Sequence, residues 1–191
     1  MINSSKFEYS LNAILYCLWL YEKKSGEIFD KIIDILFFPI YKYLFTKKFK
    51  KKFHEQMKKE KSAIDNFYNN AETGFYINWS IYSFGYFYSG YPASVPFLLI
   101  GFLVGKYDGL SDITTIIILA IPIALCYIPA YRAVFTKDRY LKYFKHFKKE
   151  DERWHKKWKR IALAFCIGSA AIDLLCVGAA FAIAIAVAEA R

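Results

Sequence analysis

Arg139 and His146 stand seven positions apart in the run Arg139-Tyr-Leu-Lys-Tyr-Phe-Lys-His146. On a helix, seven residues are two turns less about 20°, so the two share a face. A histidine so placed can give or take a proton, and an arginine can hold charge on a phosphate, which is ribonuclease chemistry. Cations fill the same register well beyond this pair: Arg132, Arg139, His146, Arg153 and Arg160 in one seam position, Lys142, Lys149 and Lys156 in the other. Read as one helix from Arg132 to Arg160, they form a continuous cationic stripe beside an aromatic one of Tyr140, Phe144, Phe147, Trp154 and Trp158. Such a surface binds anions. Anionic lipid would take the cations on headgroups and the aromatics among acyl chains. RNA would take the cations on phosphates and the aromatics on bases. A helical protein partner is the third fit. Arg and His fall at this spacing in any basic helix, so no catalytic residue is assigned.

Asp173 is the second group with chemistry to offer. It is the lone acid in the apolar run Ile161 to Ala188. A carboxylate at the bilayer centre costs about 2.5–3.5 kcal/mol on insertion scales, so it must face protein or water. Cys166, Ser169, Cys176 and Ala180 share its face, all polar or small. Ringed around a symmetry axis, that face would line a narrow, cation-preferring pore. The alternative is structural, with Asp173 hydrogen-bonded to Ser169 or a neighbouring helix. Gly178, Ala182 and Ala186 recur at every fourth position, as do Ala180, Ala184 and Ala188. Small residues so spaced let helices approach closely in lipid, and a homo-oligomer follows naturally. Cys17, Cys126, Cys166 and Cys176 each sit alone in an apolar segment, without a CxxC pair or a nearby His. That pattern argues against a metal site, and nothing points to a cofactor.

The elements that must carry these groups are membrane helices. Of 191 residues, 56% are hydrophobic, and the net charge of +10 is gathered into blocks between apolar runs. A soluble domain mixes the two; a chain crossing between solvents separates them. Ile113 to Tyr131 has 19 residues without a charge, enough at about 1.5 Å each to cover a core of about 30 Å. Thr73 to Gly105 is uncharged for 33 residues, begins Tyr-rich and contains Pro92 and Pro96. It reads as one kinked crossing with an interfacial start. The fold class expected is therefore all-α: a polytopic helical membrane protein with spans near 80–105, 113–131 and 161–188 and basic amphipathic cytoplasmic helices.

Charge orients the spans. Residues 46–61 hold eight Lys against two Glu, and residues 132–160 hold twelve Lys and Arg against four acids, whereas 106–112 holds one Lys and two Asp. The positive-inside rule puts both basic blocks in the cytoplasm, with the 106–112 hairpin and the C-terminus outside an inner membrane. The expected organisation is an amphipathic or membrane-associated helical hairpin over 1–45, turning at Glu22 to Glu27. A basic cytoplasmic helix follows over 46–72, a transmembrane hairpin over 73–131, a second basic helix over 132–160, and a last span over 161–191.

Arg139 with His146, the basic blocks and the length together resemble the small membrane accessory proteins of type VI-B CRISPR systems, which carry a degenerate HEPN-like Arg-to-His motif. The resemblance implies membrane helices, pore formation and a part in antiviral defence. The leading expectation is thus an oligomeric pore with a basic cytoplasmic platform. The alternative is a non-conducting accessory subunit that recruits a protein or nucleic-acid partner, and a HEPN-like ribonuclease comes third. No internal repeat of the kind that builds secondary transporters is present.

Overall fold

A computed structural model of the chain describes residues 5–44, 46–107 and 109–190; Asp108 of the acidic hairpin lies outside them. The regular elements are α1 (Lys6–Leu44), α2 (Lys47–Asn69), α3 (Phe75–Tyr107), α4 (Asp112–Val134), α5 (Arg139–Phe147) and α6 (Glu152–Glu189), with a 3-10 turn over Thr136–Asp138. No strand occurs among the described residues. The segments Phe75–Tyr107, Asp112–Phe147 and Glu152–Glu189 are each long and apolar enough to cross a membrane. The class is the all-α membrane class the charge-free runs predict. Large side chains such as Ile113, Leu125, Leu174 and Leu175 are exposed along these helices, where lipid or another helix must cover them.

Two compact units divide the chain, one of Met1–Tyr16 with Ser83–Arg191, the other of Cys17–Tyr82. In the first, α3 and α6 run in the same direction. Phe84 meets Phe165, Gly101 meets Ala180 and Gly105 meets Ala184. A Cβ on either glycine would collide with the α6 backbone, so only glycine permits this approach. Helix α4 runs the other way: Phe84 meets Phe135, while the Tyr88 hydroxyl donates to the Cys126 carbonyl at 3.3 Å. The up-down-up order is that of three successive crossings. Helix α3 continues through Pro92 and Pro96. Each proline removes a helix N–H. Nearby, the hydroxyls of Ser89 and Ser94 donate to the carbonyls of Tyr86 and Tyr91.

In the second unit Gly26 lies against the Tyr76 ring, and Tyr68 packs on Phe75 and Tyr76 with centroids 5.8 and 5.6 Å away. The hairpin expected over 1–45 is corrected here: α1 is one helix of 39 residues. Glu22, Lys23, Lys24 and Glu27 are good helix formers, and one glycine costs a helix only about 1 kcal/mol. Polarity alone does not make a turn.

The single helix expected over 132–160 is also corrected. Arg132 belongs to the last turn of α4, after which Lys137 and Asp138 take left-handed backbone at φ 58° and 52°. A second break follows α5, and Asp151 caps α6 by accepting from the Trp154 N–H at 2.7 Å. The cationic seam is therefore cut into three pieces.

Candidate functional site

Helix α5 is the centre of the basic region. Its nine residues carry Tyr140, Tyr143, Phe144 and Phe147 on one buried face. The N-terminal parts of α1 and α6 complete the core beneath it. Phe147 stacks on Trp154 with centroids 4.7 Å apart, and Tyr16 meets Phe144 edge-on at 5.0 Å. Tyr9 meets Phe147 at 5.2 Å and Trp158 at 5.8 Å, both edge-on. Edge-to-face rings of this kind contribute about 0.5–1.5 kcal/mol each beyond their burial.

Polar contacts fix the register. Glu8 accepts from Arg139 Nη1 at 2.9 Å through one carboxylate oxygen and from the Tyr143 hydroxyl at 3.1 Å through the other. Asn12, wholly buried, donates to the Ala133 carbonyl at 3.2 Å at the end of α4. Trp154 Nε1 donates to the Tyr9 hydroxyl at 2.8 Å. Burial holds the Tyr9 phenol above its usual range; the Trp154 hydrogen bond opposes this and the charge of Glu150 adds to it.

The cations face the other way. Lys142, Lys145, His146, Lys148 and Lys149 are exposed on α5 and the turn after it, as are Arg132, Arg153, Lys156 and Arg160 on the flanking helices. His146 Nε2 lies 3.2 Å from Glu150, and Lys156 lies 2.9 Å from Glu152. Arg139 and His146 are each set against a different carboxylate, two turns and about 10 Å apart along the axis, and do not converge on one point. The aromatic stripe is turned inward. Tyr140, Phe144 and Phe147 are buried and Trp154 and Trp158 half-buried, so they form the mount of the cationic surface and neither a stacking platform nor a membrane wedge. The sequence reading missed Glu8, Tyr9, Asn12 and Tyr16. A signal was present: Asn12 is the one amide in the uncharged run Tyr9 to Tyr21.

The face of α6 expected to line a pore packs on α3 of the same chain. Ser169 is wholly buried and, with Asp173, lies against Gly90; Ala180 lies on Gly101; Cys166 and Cys176 are half-buried. Ser169, Asp173 and Ala180 of that face thus meet a helix of the same chain. The small residues that pack are Ala180 and Ala184. Gly178, Ala182 and Ala186 stay exposed, and nothing lies within 4 Å of a Cβ built on Gly178. Among the described residues no group of three or more His, Cys, Asp or Glu is placed to hold a metal ion. Comparison with known protein families, with curated proteins and with solved structures finds no match to the chain.

Proposed function

We propose that this protein is a membrane-anchored accessory subunit whose basic platform holds a polyanion, RNA in the first instance, at the cytoplasmic face of the bilayer. The observation that carries the reading is the mount of α5, its aromatic face locked inward so that its cations stand together on the outside. Height supports RNA over lipid. Glu152 to Arg160 adds nine helical residues before the apolar run of α6, a rise of about 13 Å where a headgroup layer is about 5–8 Å deep. Arg132 and Arg160, at the span ends, serve headgroups; Arg153, two turns farther out, reaches past them, and α5 packs at that level through Phe147 on Trp154. With the aromatics buried, recognition is of phosphates and carries little base preference. The positive-inside rule puts this surface in the cytoplasm. The likeness to type VI-B accessory proteins gives such a subunit a place in antiviral defence.

The test is fluorescence anisotropy with labelled single-stranded RNA and the full chain in nanodiscs of neutral lipid. Changing Lys142, Lys145 and Lys149 to Gln should weaken binding at least tenfold at moderate salt. Unchanged affinity in the triple variant sinks the reading.

A second reading, an oligomeric pore, rests on the open stripe of Gly178, Ala182 and Ala186, which is free to receive another copy. Its axis would be lined by residues other than Asp173. Planar-bilayer recordings of purified protein decide it, since no conductance under any gradient removes it.

A further inference from the structure

We propose that Gly90, Ser169 and Asp173 form a site between α3 and α6 that carries one monovalent cation, a proton or an alkali-metal ion. Three observations converge on it. The first is charge balance. Residues 75–105 of α3 and 113–131 of α4 hold no charged side chain, and Asp173 is alone in 161–188. These three spans offer no cation at this depth, so the neutralising charge must come from outside them.

The second is unmet hydrogen-bonding capacity. Ser169 Oγ and Asp173 Oδ1 are buried and have no hydrogen-bond partner among the described residues. Ser169 is 0% exposed. The hydroxyl of Tyr91, next to Gly90 in the chain, is engaged by donating to the Phe165 carbonyl at 2.7 Å. Buried oxygens of this kind are costly unless something is bound to them.

The third is convergence. A Cβ on Gly90 would run into Ser169 Oγ and fall 2.6 Å from Asp173 Oδ2, so the two side chains together occupy the room that glycine leaves. Glycine at this position lets a carboxylate and a hydroxyl, one turn apart on the facing helix, bring their oxygens together against the α3 backbone at membrane depth. Within three residues of Gly90, Ser169 and Asp173 the other titratable side chains are Tyr88 and Tyr91 of α3 and Cys166 and Cys176 of α6, none of them positive when charged; the cations of these helices, Lys106 and those of Arg153 to Arg160, stand toward their ends. The inference is independent of the RNA reading and stands if that reading fails.

A hydrophobic carbodiimide tests it, because such reagents modify only protonated carboxyls within apolar surroundings. The full chain in phosphatidylcholine nanodiscs is labelled across a pH series with Na+, K+ or a bulky organic cation as the salt, then mapped by peptide mass spectrometry. Melting temperature is followed in the same buffers. One adduct at Asp173, absent in Asp173→Asn, is expected. If the cation is an alkali metal, that salt protects Asp173 from labelling and raises the melting temperature of the wild type only. If it is a proton, labelling falls as pH rises whatever the salt, and the melting temperature falls with it in the wild type only. Gly90→Ala, which pushes the two oxygens apart, should lose the protection or the pH response while remaining folded by circular dichroism. Labelling insensitive to both salt and pH, no labelling at all, or melting responses shared by wild type and Asp173→Asn would overturn the proposal and leave Asp173 a packing residue.

Discussion

Glu8 does more for the platform than any cation on it. One carboxylate takes hydrogen bonds from both Arg139 and Tyr143, and so pins α5 to α1. Its side chain is 17% exposed against 41% for Arg139, so the pair is only partly shielded from solvent. Hydrogen bonds to charged groups are worth about 1.5–3 kcal/mol when buried, and screening here brings the expected loss in Glu8→Ala to about 1–2 kcal/mol. Thermal melts of Glu8→Ala, Arg139→Ala and the double variant check this. The double should lose less than the sum of the singles, and strict additivity would mean that the contact contributes nothing. Lys137 and Asp138 make the opposite case, since their left-handed backbone costs non-glycine residues about 1 kcal/mol each. Asp138→Gly should therefore hold or raise the melting temperature. A clear drop would show that the Asp138 side chain earns its place.

Among the elements, α3 pairs closely with α6 through Gly101 and Gly105. Gly101→Leu would drive a side chain into the backbone of Ala180, with an expected cost of about 1–3 kcal/mol or more. Gly178→Leu should leave the fold of one chain intact, because its surroundings are open. Size-exclusion profiles and melts in one detergent separate the two. Equal damage from both substitutions would contradict the packing described. The spans were legible in the sequence because a charge-free run of 19 or 33 residues has one cheap environment whatever its neighbours do. The breaks around α5 were not legible. They fall at Lys137, Asp138 and the polar residues 148–151, with no glycine or proline to mark them. The partnership of α1 with α4 and α5 was hidden for another reason: Asn12 and Ala133 are 121 positions apart, beyond any periodicity. The cations of the platform could be named from spacing alone. Which way the adjoining aromatics face could not, since that depends on the distant Tyr9 and Tyr16.

For the whole molecule, three alternating helices put Phe84 of α3, the end of α4 and the start of α6 at one end of the first unit's bundle, with the basic residues of 132–160 gathered there. On the proposed orientation that end is cytoplasmic. In a background lacking the four native cysteines, Ser111→Cys should react with an impermeant maleimide in intact cells, and Lys157→Cys only after lysis. The reverse pattern would invert the protein and take the platform away from cytoplasmic RNA. The most direct test of the platform itself is the salt dependence of RNA binding by the full chain in neutral nanodiscs. Phosphate contacts by about five outward cations should give log K against log salt a slope of about −3 to −4, and removing Lys142, Lys145 and Lys149 should bring it to about −1.5. A slope near zero, or one the triple variant leaves unchanged, would contradict a platform that works by holding phosphates.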